Sequence, residues 1–234
     1  SKPQDRSLFV QGLQIVGDHL YVGTGRYGES RLLRYNWPEQ TLDHEQPLDD
    51  RLFGEGVTVL EDRVYQLTWR SGLLLSYQRD TLEMAEVSRI PTQGWGLTNN
   101  GQQLVMSDGS NRLYFIDPKA QRLTRTLSVT EAGLPVNRLN ELEWIEGKVW
   151  ANVFQTDRIV IIDPESGEVT GNVDLTGLLP EPERLPDTDV LNGIAYEQVG
   201  GKIWVTGKRW PRLFHIELIP KSSGAEAHKP DKTR

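Results

Sequence analysis

Five copies of one strand pattern follow each other along the chain, and this repetition constrains the fold more than any other feature. In each copy a turn-like dipeptide opens a strand, the chain reverses at a small polar turn, and a second strand ends in a hydroxyl or amide residue. The five second strands are residues 18–24, 62–68, 102–107, 147–152 and 201–206. Such repetition predicts a series of equivalent units that bury their apolar faces against each other.

Corresponding apolar residues in the second strands measure the length of the repeat. They are separated by 44, 40, 45 and 54 positions, counted between Leu20, Val64, Leu104, Val149 and Ile203. A loop and an apolar third strand follow each second strand, and four copies add a more polar fourth segment. Four strands in a unit of roughly 40–50 residues are typical of a β-propeller blade. We therefore predict an all-β, five-bladed β-propeller that forms a single domain over residues 1–219.

The fifth copy stops near Pro220 without an outer strand. Residues 7–10, which no copy uses, are the candidate to fill that place. The ring would then be closed by the N-terminal strand, and closure would remove the exposed edge. Residues 220–234 are polar and aperiodic, so we expect them to form a disordered tail.

Composition and charge restrict the partners of this domain. The 234 residues carry a formal net charge of −7, which argues against nucleic acid and anionic membrane surfaces as partners. No apolar run approaches the roughly 20 residues that a membrane-spanning helix needs, so membrane insertion is not expected. The chain has no cysteine, which excludes disulfides and thiolate chemistry.

The repeat also indicates where the chemistry would be located. The inner strand of each blade lines a central channel, and the start of a first strand lies on the same face as the end of a second. The dipeptides that open the first strands should therefore surround one mouth of the channel: Gln11-Gly12, Glu55-Gly56, Trp95-Gly96, Asn140-Glu141 and Asn192-Gly193. Structural turns would converge on small interchangeable residues, whereas these side chains are chemically distinct and directed to one place.

A carboxyl group among aromatic side chains is the main catalytic candidate. Glu55 lies close to Phe53 and faces the loops of Trp69 and Trp95, so burial should raise its pKa and let it exchange protons near neutral pH. Aromatic walls with amide and lysine donors suit a small uncharged substrate whose carbonyl oxygen gains negative charge in the transition state. The alternative for Glu55 is a structural carboxylate bonded to backbone N–H groups of neighbouring blades.

The histidines do not support two common kinds of hydrolytic site. They fall in a turn, an outer segment, a third strand and the tail, at His19, His44, His215 and His228. None partners a serine nucleophile, and none clusters with carboxylates at ligand spacing. Residues 108–111 offer oxygen ligands of the kind that calcium uses, but with the spacing of an ordinary turn. We therefore predict no metal ligands and no cofactor.

Eight motifs on the expected functional face occur in order along the chain. They are FVQGL (9–13), FGEG (53–56), YQLTW (65–69), GWGLT (94–98), MSDGS (106–110), LNELE (139–143), ANVFQTD (151–157) and TGKRWP (206–211). Together they resemble the plant and bacterial type of glutaminyl cyclase over about residues 9–217. The resemblance implies a five-bladed propeller that turns the N-terminal glutamine of a peptide or protein into pyroglutamate and releases ammonia. It also implies a glutaminyl-peptide cyclotransferase, an acyltransferase, that needs no catalytic metal.

The resemblance also implies roles for individual residues. Glu55 matches the family's catalytic glutamate, and the family's substrate-contacting positions match Phe9, Gln11, Phe53, Trp69, Trp95, Asn140 and Lys208. Our candidate catalytic residues are Glu55, Asn140 and Lys208. Our candidate substrate-binding residues are Phe9, Gln11, Phe53, Trp69, Trp95, Phe154 and Asn192. Phe154 stands where the family usually has tryptophan, which keeps a ring but removes an indole N–H donor.

The partners implied are peptides or proteins with N-terminal glutamine, and we expect a monomer. Periplasmic location or secretion is implied by the resemblance alone, with any signal peptide removed before Ser1. Two other classes of protein stay open. A non-catalytic propeller that binds peptides would need the same aromatic mouth but would tolerate loss of Glu55. A propeller lactonase would hold a metal with several carboxylates, for which Glu141 and Asp108 are the available neighbours.

Overall fold

Four-stranded antiparallel sheets arranged as the blades of a propeller form this protein in a computed structural model, which describes residues 1–220. The chain begins with a two-residue strand, β1 (Lys2–Pro3). Blade 1 contains β2 (Val10–Val16), β3 (His19–Thr24), β4 (Arg31–Asn36) and β5 (Thr41–Pro47). Blade 2 contains β6 (Gly54–Leu60), β7 (Arg63–Thr68), β8 (Leu73–Gln78) and β9 (Met84–Arg89). Blade 3 contains β10 (Leu97–Asn99), β11 (Leu104–Ser107), β12 (Arg112–Asp117) and β13 (Arg122–Ser128).

The second half of the chain completes the ring. A small hairpin links blades 3 and 4 through β14 (Thr130–Glu131) and β15 (Leu134–Pro135). Blade 4 contains β16 (Leu139–Ile145), β17 (Lys148–Val153), β18 (Arg158–Ile162) and β19 (Val169–Asp174). A short 3-10 helix, Glu181–Glu183, precedes blade 5, which contains β20 (Leu191–Glu197), β21 (Lys202–Gly207) and β22 (Arg212–Ile216). The all-β, five-bladed prediction is confirmed.

Apolar side chains of the second and third strands pack between neighbouring blades. In β3, Leu20 and Val22 face the cluster shared with blade 5, whereas Tyr21 faces the cluster shared with blade 2. Side chains alternate between the two faces of a strand, and both faces of each blade are covered, so these strands are apolar at most positions. In the described chain one such cluster lies at each of the five blade junctions. This packing holds the blades around a common channel.

An N-terminal strand closes the ring, as predicted, but the segment that does so differs from the expected one. β1 pairs antiparallel with β22, and Lys2 lies opposite Leu213. Residues 7–10 do not form the outer strand of blade 5. Leu8 is buried in the cluster between blades 5 and 1, and Val10 already begins β2. Burial of these apolar side chains is incompatible with an exposed outer position, so the polar residues before them supply the edge strand.

Two glycines allow the inner strands to approach each other around the channel. A Cβ atom at Gly96 would overlap the carbonyl oxygen of Asn140 in the next blade, and one at Gly56 would overlap the backbone nitrogen of Leu97. A side-chain movement could not relieve either contact, because both involve backbone atoms. The glycines that open the first strands are therefore required by the close packing of neighbouring blades.

Two further sequence expectations concern the ends and surroundings of the domain. The predicted tail beyond Pro220 lies outside the described residues. Within residues 1–220, none of the helical structure has the length and hydropathy that crossing a membrane requires.

Candidate active site

Register shifts in the inner strands determine which side chains point into the channel mouth. Near the start of β2, β6, β16 and β20 the pairing with the following strand is interrupted. The interruptions fall at Gln11, Glu55, Asn140 and Asn192. A β-bulge redirects a side chain away from the regular alternation of a strand, and bulges are common beside active sites. Local irregularity at equivalent points of four blades thus brings four polar side chains to one end of the ring.

A pocket of about 280 Å³ lies at this end of the channel. Its lining residues are Phe9, Gln11, Phe53, Glu55, Trp69, Trp95, Asn140, Phe154 and Lys208. Nine of the ten residues singled out from the sequence therefore lie together. The tenth, Asn192, is completely buried behind this lining.

Aromatic rings form most of the pocket wall. Phe53 packs edge-to-face against Phe9 and Trp69, with ring centroids 6.3 and 5.5 Å apart. Trp95 packs in the same way against Phe154 at 5.4 Å. Edge-to-face contacts fix the orientation of rings as well as bury their area. The wall is therefore an apolar surface of defined shape, suited to the methylene groups of a small substrate.

Glu55 is buried in this wall with little to stabilise its charge. It is 4% exposed, and its one hydrogen-bond partner in the described chain is Gln11, whose Nε2 donates to Glu55 Oε1 at 3.3 Å. Burial raises the pKa of the Glu55 carboxyl well above its ordinary value, and the positive charge of Lys208 opposes that shift. Among residues 1–220 no backbone N–H donates to the Glu55 carboxylate, so the structural alternative considered for Glu55 does not describe its surroundings.

Two other buried glutamates show what a structural carboxylate looks like in this ring. Leu13 N and Ile194 N donate to the two oxygens of Glu141 at 3.2 and 2.8 Å. Glu143, two positions along β16, accepts a hydrogen bond from Tyr196 N at 3.1 Å. Burial raises the pKa of Glu141 well above its ordinary value and that of Glu143 to about 8. These carboxyl groups tie blade 4 to blades 1 and 5, whereas Glu55 has no such attachment.

Lys208 supplies a cation to the pocket. It is 5% exposed, and its Nζ lies 4.9 Å from the ring centroid of Phe9 and 5.1 Å from that of Phe154. Burial lowers the pKa of the ammonium group, and the negative charges of Glu55 and Asp189 oppose that shift. Within the described part of the chain Nζ donates no hydrogen bond and lies in no ion pair of 4.0 Å or less. The sequence predicted Lys208 as a site residue, and the structure places it in the pocket wall.

A chain of amide groups connects the pocket residues across four blades. Asn140 Nδ2 donates to Asn192 Oδ1 at 2.8 Å, and Asn192 Nδ2 donates to Gln11 Oε1 at 3.4 Å and to Val10 O at 3.0 Å. Gln11 in turn donates to Glu55. Each amide therefore has a defined orientation, and Asn192 determines those of Asn140 and Gln11 from behind the wall.

The carboxylates that a lactonase-like metal site would need do not reach the pocket. Glu141 is bonded to backbone N–H groups, and Asp108 accepts hydrogen bonds from Ser110 N at 3.0 Å and Tyr114 Oη at 2.9 Å. In the described chain no group of three or more His, Cys, Asp or Glu is placed to hold a metal ion. Glu55 is the one carboxylate among the nine lining residues.

Sequence reasoning missed one aromatic contact of the pocket. Tyr27 packs edge-to-face against Phe53 at 5.4 Å and is half-exposed at the rim. Tyr27 follows the end of a second strand, which the repeat places on this face, and that position was the available signal. Trp150 and Trp204, which lie on second strands, are buried between blades.

The matching family model and two of the similar proteins share one activity in their descriptions. The family model described as glutamine cyclotransferase matches residues 1–218. A glutaminyl-peptide cyclotransferase of Arabidopsis thaliana is 37% identical over 227 residues, which cover 94% of this chain and 70% of that protein. The crystal structure of Myxococcus xanthus glutaminyl cyclase matches with a TM-score of 0.84 and 33% identity, covering 92% and 93% of the two chains. The WD40 propeller domain of Doa1, at 10% identity and a TM-score of 0.53, covers 84% of this chain and 60% of its own, and shows the fold alone.

Proposed function

Because the chain belongs to the glutamine cyclotransferase family, we propose that it converts the N-terminal glutamine of peptides or proteins into pyroglutamate and releases ammonia. The observation that carries this proposal is the state of Glu55, a buried carboxyl with a raised pKa and one long hydrogen bond in an aromatic pocket. A carboxyl group of this kind can both accept and return a proton near neutral pH.

The reaction requires one proton to move between two nitrogen atoms. The neutral α-amine attacks the γ-carboxamide carbon of the same glutamine, and the new N–C bond gives a tetrahedral intermediate. The Glu55 carboxylate accepts a proton from the attacking nitrogen and then donates it to the amide nitrogen. The C–N bond to that nitrogen breaks, ammonia leaves, and Glu55 is a carboxylate again. General acid–base assistance of this kind contributes roughly 10²–10⁴ in rate.

The oxygen of the intermediate needs a hydrogen-bond donor, and Lys208 is the best placed. Gln11, Asn140 and Lys208 all line the pocket and carry N–H donors. One of the two N–H donors of Gln11 Nε2 is used on Glu55, and one of the two of Asn140 Nδ2 is used on Asn192. Lys208 Nζ, held between two rings, has donors to spare. A buried charge that meets developing negative charge stabilises the transition state more than it could in water.

The walls determine which substrate fits. The rings of Phe9, Phe53, Trp69, Trp95 and Phe154 would contact the methylene groups and hold the side chain curled toward its own amine. Orienting both reacting groups in one molecule removes much of the entropic cost of the attack. A pocket of about 280 Å³ is near the lower end of the range for small-molecule sites and suits one side chain.

The remaining features of the proposed activity follow from the chemistry and the family. The γ-acyl group passes from one nitrogen to another, which makes the reaction an acyl transfer, and the scheme above uses neither metal nor cofactor. We further propose a monomeric enzyme, since one chain supplies every residue in the scheme. Location in the periplasm or outside the cell rests on the family resemblance, and cell fractionation would test it.

The first experiment is to incubate the protein with a short glutamine-initiated peptide and with its N-acetylated form, each with and without a chelator. Mass spectrometry should show loss of ammonia from the free peptide alone, with equal rates in both solutions. The acetylated peptide should not react, because its nitrogen is no longer a nucleophile. A chelator-sensitive reaction would contradict the metal-free scheme. No reaction would favour the non-catalytic peptide-binding propeller.

A further inference from the structure

A second depression lies beside the catalytic pocket, on the same face of the ring. It is a groove of about 610 Å³, lined by the loop that follows β3, the loop that follows β17, residues 184–191 and the loop that follows β21. Phe9 lines both the groove and the pocket. We propose that this groove binds the part of the substrate peptide that follows the N-terminal glutamine, an inference that rests on the function proposed above.

The chain passes directly from the pocket to the groove in two places. Phe154 lines the pocket and Gln155 lines the groove, and the same relation holds between Lys208 and Arg209. Gln155 and Arg209 have φ angles of 63° and 58°, which lie in the left-handed region. Each loop therefore turns sharply just after its pocket residue, so that the groove is continuous with the pocket rim. A peptide whose first side chain fills the pocket must continue along this surface or leave into solvent.

The wall of the groove is braced on both sides. Trp210 Nε1 donates to Asp189 O at 2.9 Å, and Asp187 pairs with Arg209 at 2.8 Å. Arg6, which precedes β2, donates to Thr188 Oγ1 at 2.9 Å. These bonds join residues 187–189 to the loop after β21 and to Arg6, so the groove exists before any peptide arrives. A preformed surface loses less conformational entropy on binding than a mobile loop would.

The charges of the groove suit a peptide chain with polar side chains. Within residues 1–220, the ion pairs of Arg26 and Arg184 are long, at 3.6 Å, and are made with exposed glutamates. Asp157 has no cation within 4.0 Å in residues 1–220. Positive and negative groups are therefore both available to peptide N–H and C=O groups and to side chains of either charge. The pocket would select glutamine, and the groove would add contacts that depend on the length of the peptide.

The test compares kcat/KM for glutaminamide, a glutaminyl dipeptide amide, and tetra- and hexapeptides of polar sequence that begin with glutamine. We expect kcat/KM to rise about tenfold between the dipeptide and the hexapeptide, because the longer chain gains groove contacts. In Arg184→Ala and Asp157→Asn the ratio of hexapeptide to dipeptide kcat/KM should fall about threefold, as the loss of an exposed charged contact allows. Arg122→Ala, which removes an exposed cation of blade 3, should leave this ratio at its parental value.

The failure of this proposal and the failure of the proposed function give different results. A protein that cyclises no glutamine peptide, short or long, lacks the proposed function. Equal kcat/KM for dipeptide and hexapeptide, in a protein that does cyclise them, would overturn the groove assignment. The assignment would also be overturned if a length preference survived unchanged in both groove variants.

Discussion

The two kinds of buried glutamate in this ring differ in what holds them. Glu141 and Glu143 accept hydrogen bonds from backbone N–H groups of other blades, while among residues 1–220 Glu55 accepts one only from the side chain of Gln11. A buried carboxylate without backbone donors is costly to ionise, and such groups concentrate at functional sites. At the scale of the single residue, the lack of backbone N–H donors among the described residues distinguishes Glu55 from Glu141 and Glu143.

Replacing Glu55 tests that distinction. Glu55→Gln keeps the size of the side chain and removes the titratable group, so the variant should fold normally and lose a factor of about 10²–10⁴ in kcat. Circular dichroism and thermal unfolding establish the fold, and ammonia release measures turnover. In the parent protein kcat/KM should fall as the pH falls through the raised pKa of Glu55, since the carboxylate is the acceptor. Near-parental turnover in Glu55→Gln would remove Glu55 from the catalytic role.

Asn192 offers a test of positioning. Asn192→Ala frees Gln11 to rotate away from Glu55, and the lost hydrogen bond favours the neutral carboxyl, so the pKa of Glu55 should rise. We expect lower kcat/KM and an acid limb of the pH–rate profile that moves to higher pH. Gln11→Leu should reproduce the shift. If Asn192→Ala lowers the melting temperature but leaves the acid limb in place, Asn192 supports the fold alone.

The repeat predicted which residues surround the channel mouth, but not how deep each one lies. Glu55, Asn140 and Asn192 occupy equivalent openings of three blades, and the sequence treats them alike. Only packing decides that Asn192 faces its neighbours while the other two face the pocket. The depth of a side chain depends on contacts between blades, which a pattern within one blade does not contain.

At the scale of the strand, bulges and glycines act together. The bulges turn the polar residues toward the channel, and the glycines let the next blade approach their backbone. Strand positions were predictable because alternation is a property of the local sequence: residues 18–24 were expected and β3 is His19–Thr24. β1 was not predictable, because two residues carry no periodicity. The groove was not predicted either, since it is assembled from loops far apart in the sequence.

The contact at Gly96 gives a prediction at this scale. Gly96→Ala would place a Cβ on the carbonyl of Asn140, so blades 3 and 4 must separate or Asn140 must move. We expect a loss of about 1–3 kcal/mol in the free energy of unfolding, as for other overpacked sites, and a decrease in kcat/KM. Urea unfolding measures the first effect. Gly171→Ala, on the outer strand β19 where the neighbours are side-chain atoms of Ile161, is the matched control and should have little effect on either quantity.

For the whole molecule, the channel glutamates make stability depend on pH. Burial in the folded state raises the pKa of Glu143 to about 8 from an ordinary 4.5. Ionisation of Glu143 therefore costs more free energy in the folded protein than in the unfolded chain. Its contribution to stability is complete below pH 4.5 and is lost as the pH rises through about 8. Melting temperatures between about pH 5 and pH 8 should fall less in Glu143→Gln than in the parent. Glu83→Gln, an exposed control, should follow the parent, and identical slopes in all three proteins would contradict the assignment.

The strand pair between Lys2 and Leu213 has a consequence for synthesis of the protein. Lys2 leaves the ribosome well before its partner, which is made more than two hundred positions later. At typical translation speeds of about 5–20 residues per second, the growing chain remains an open arc for tens of seconds. During that time blade 1 has no neighbour on one side, and the apolar face that blade 5 will cover is exposed. The unfinished chain is therefore most open to association with another copy of itself before β1 pairs with β22 and closes the ring.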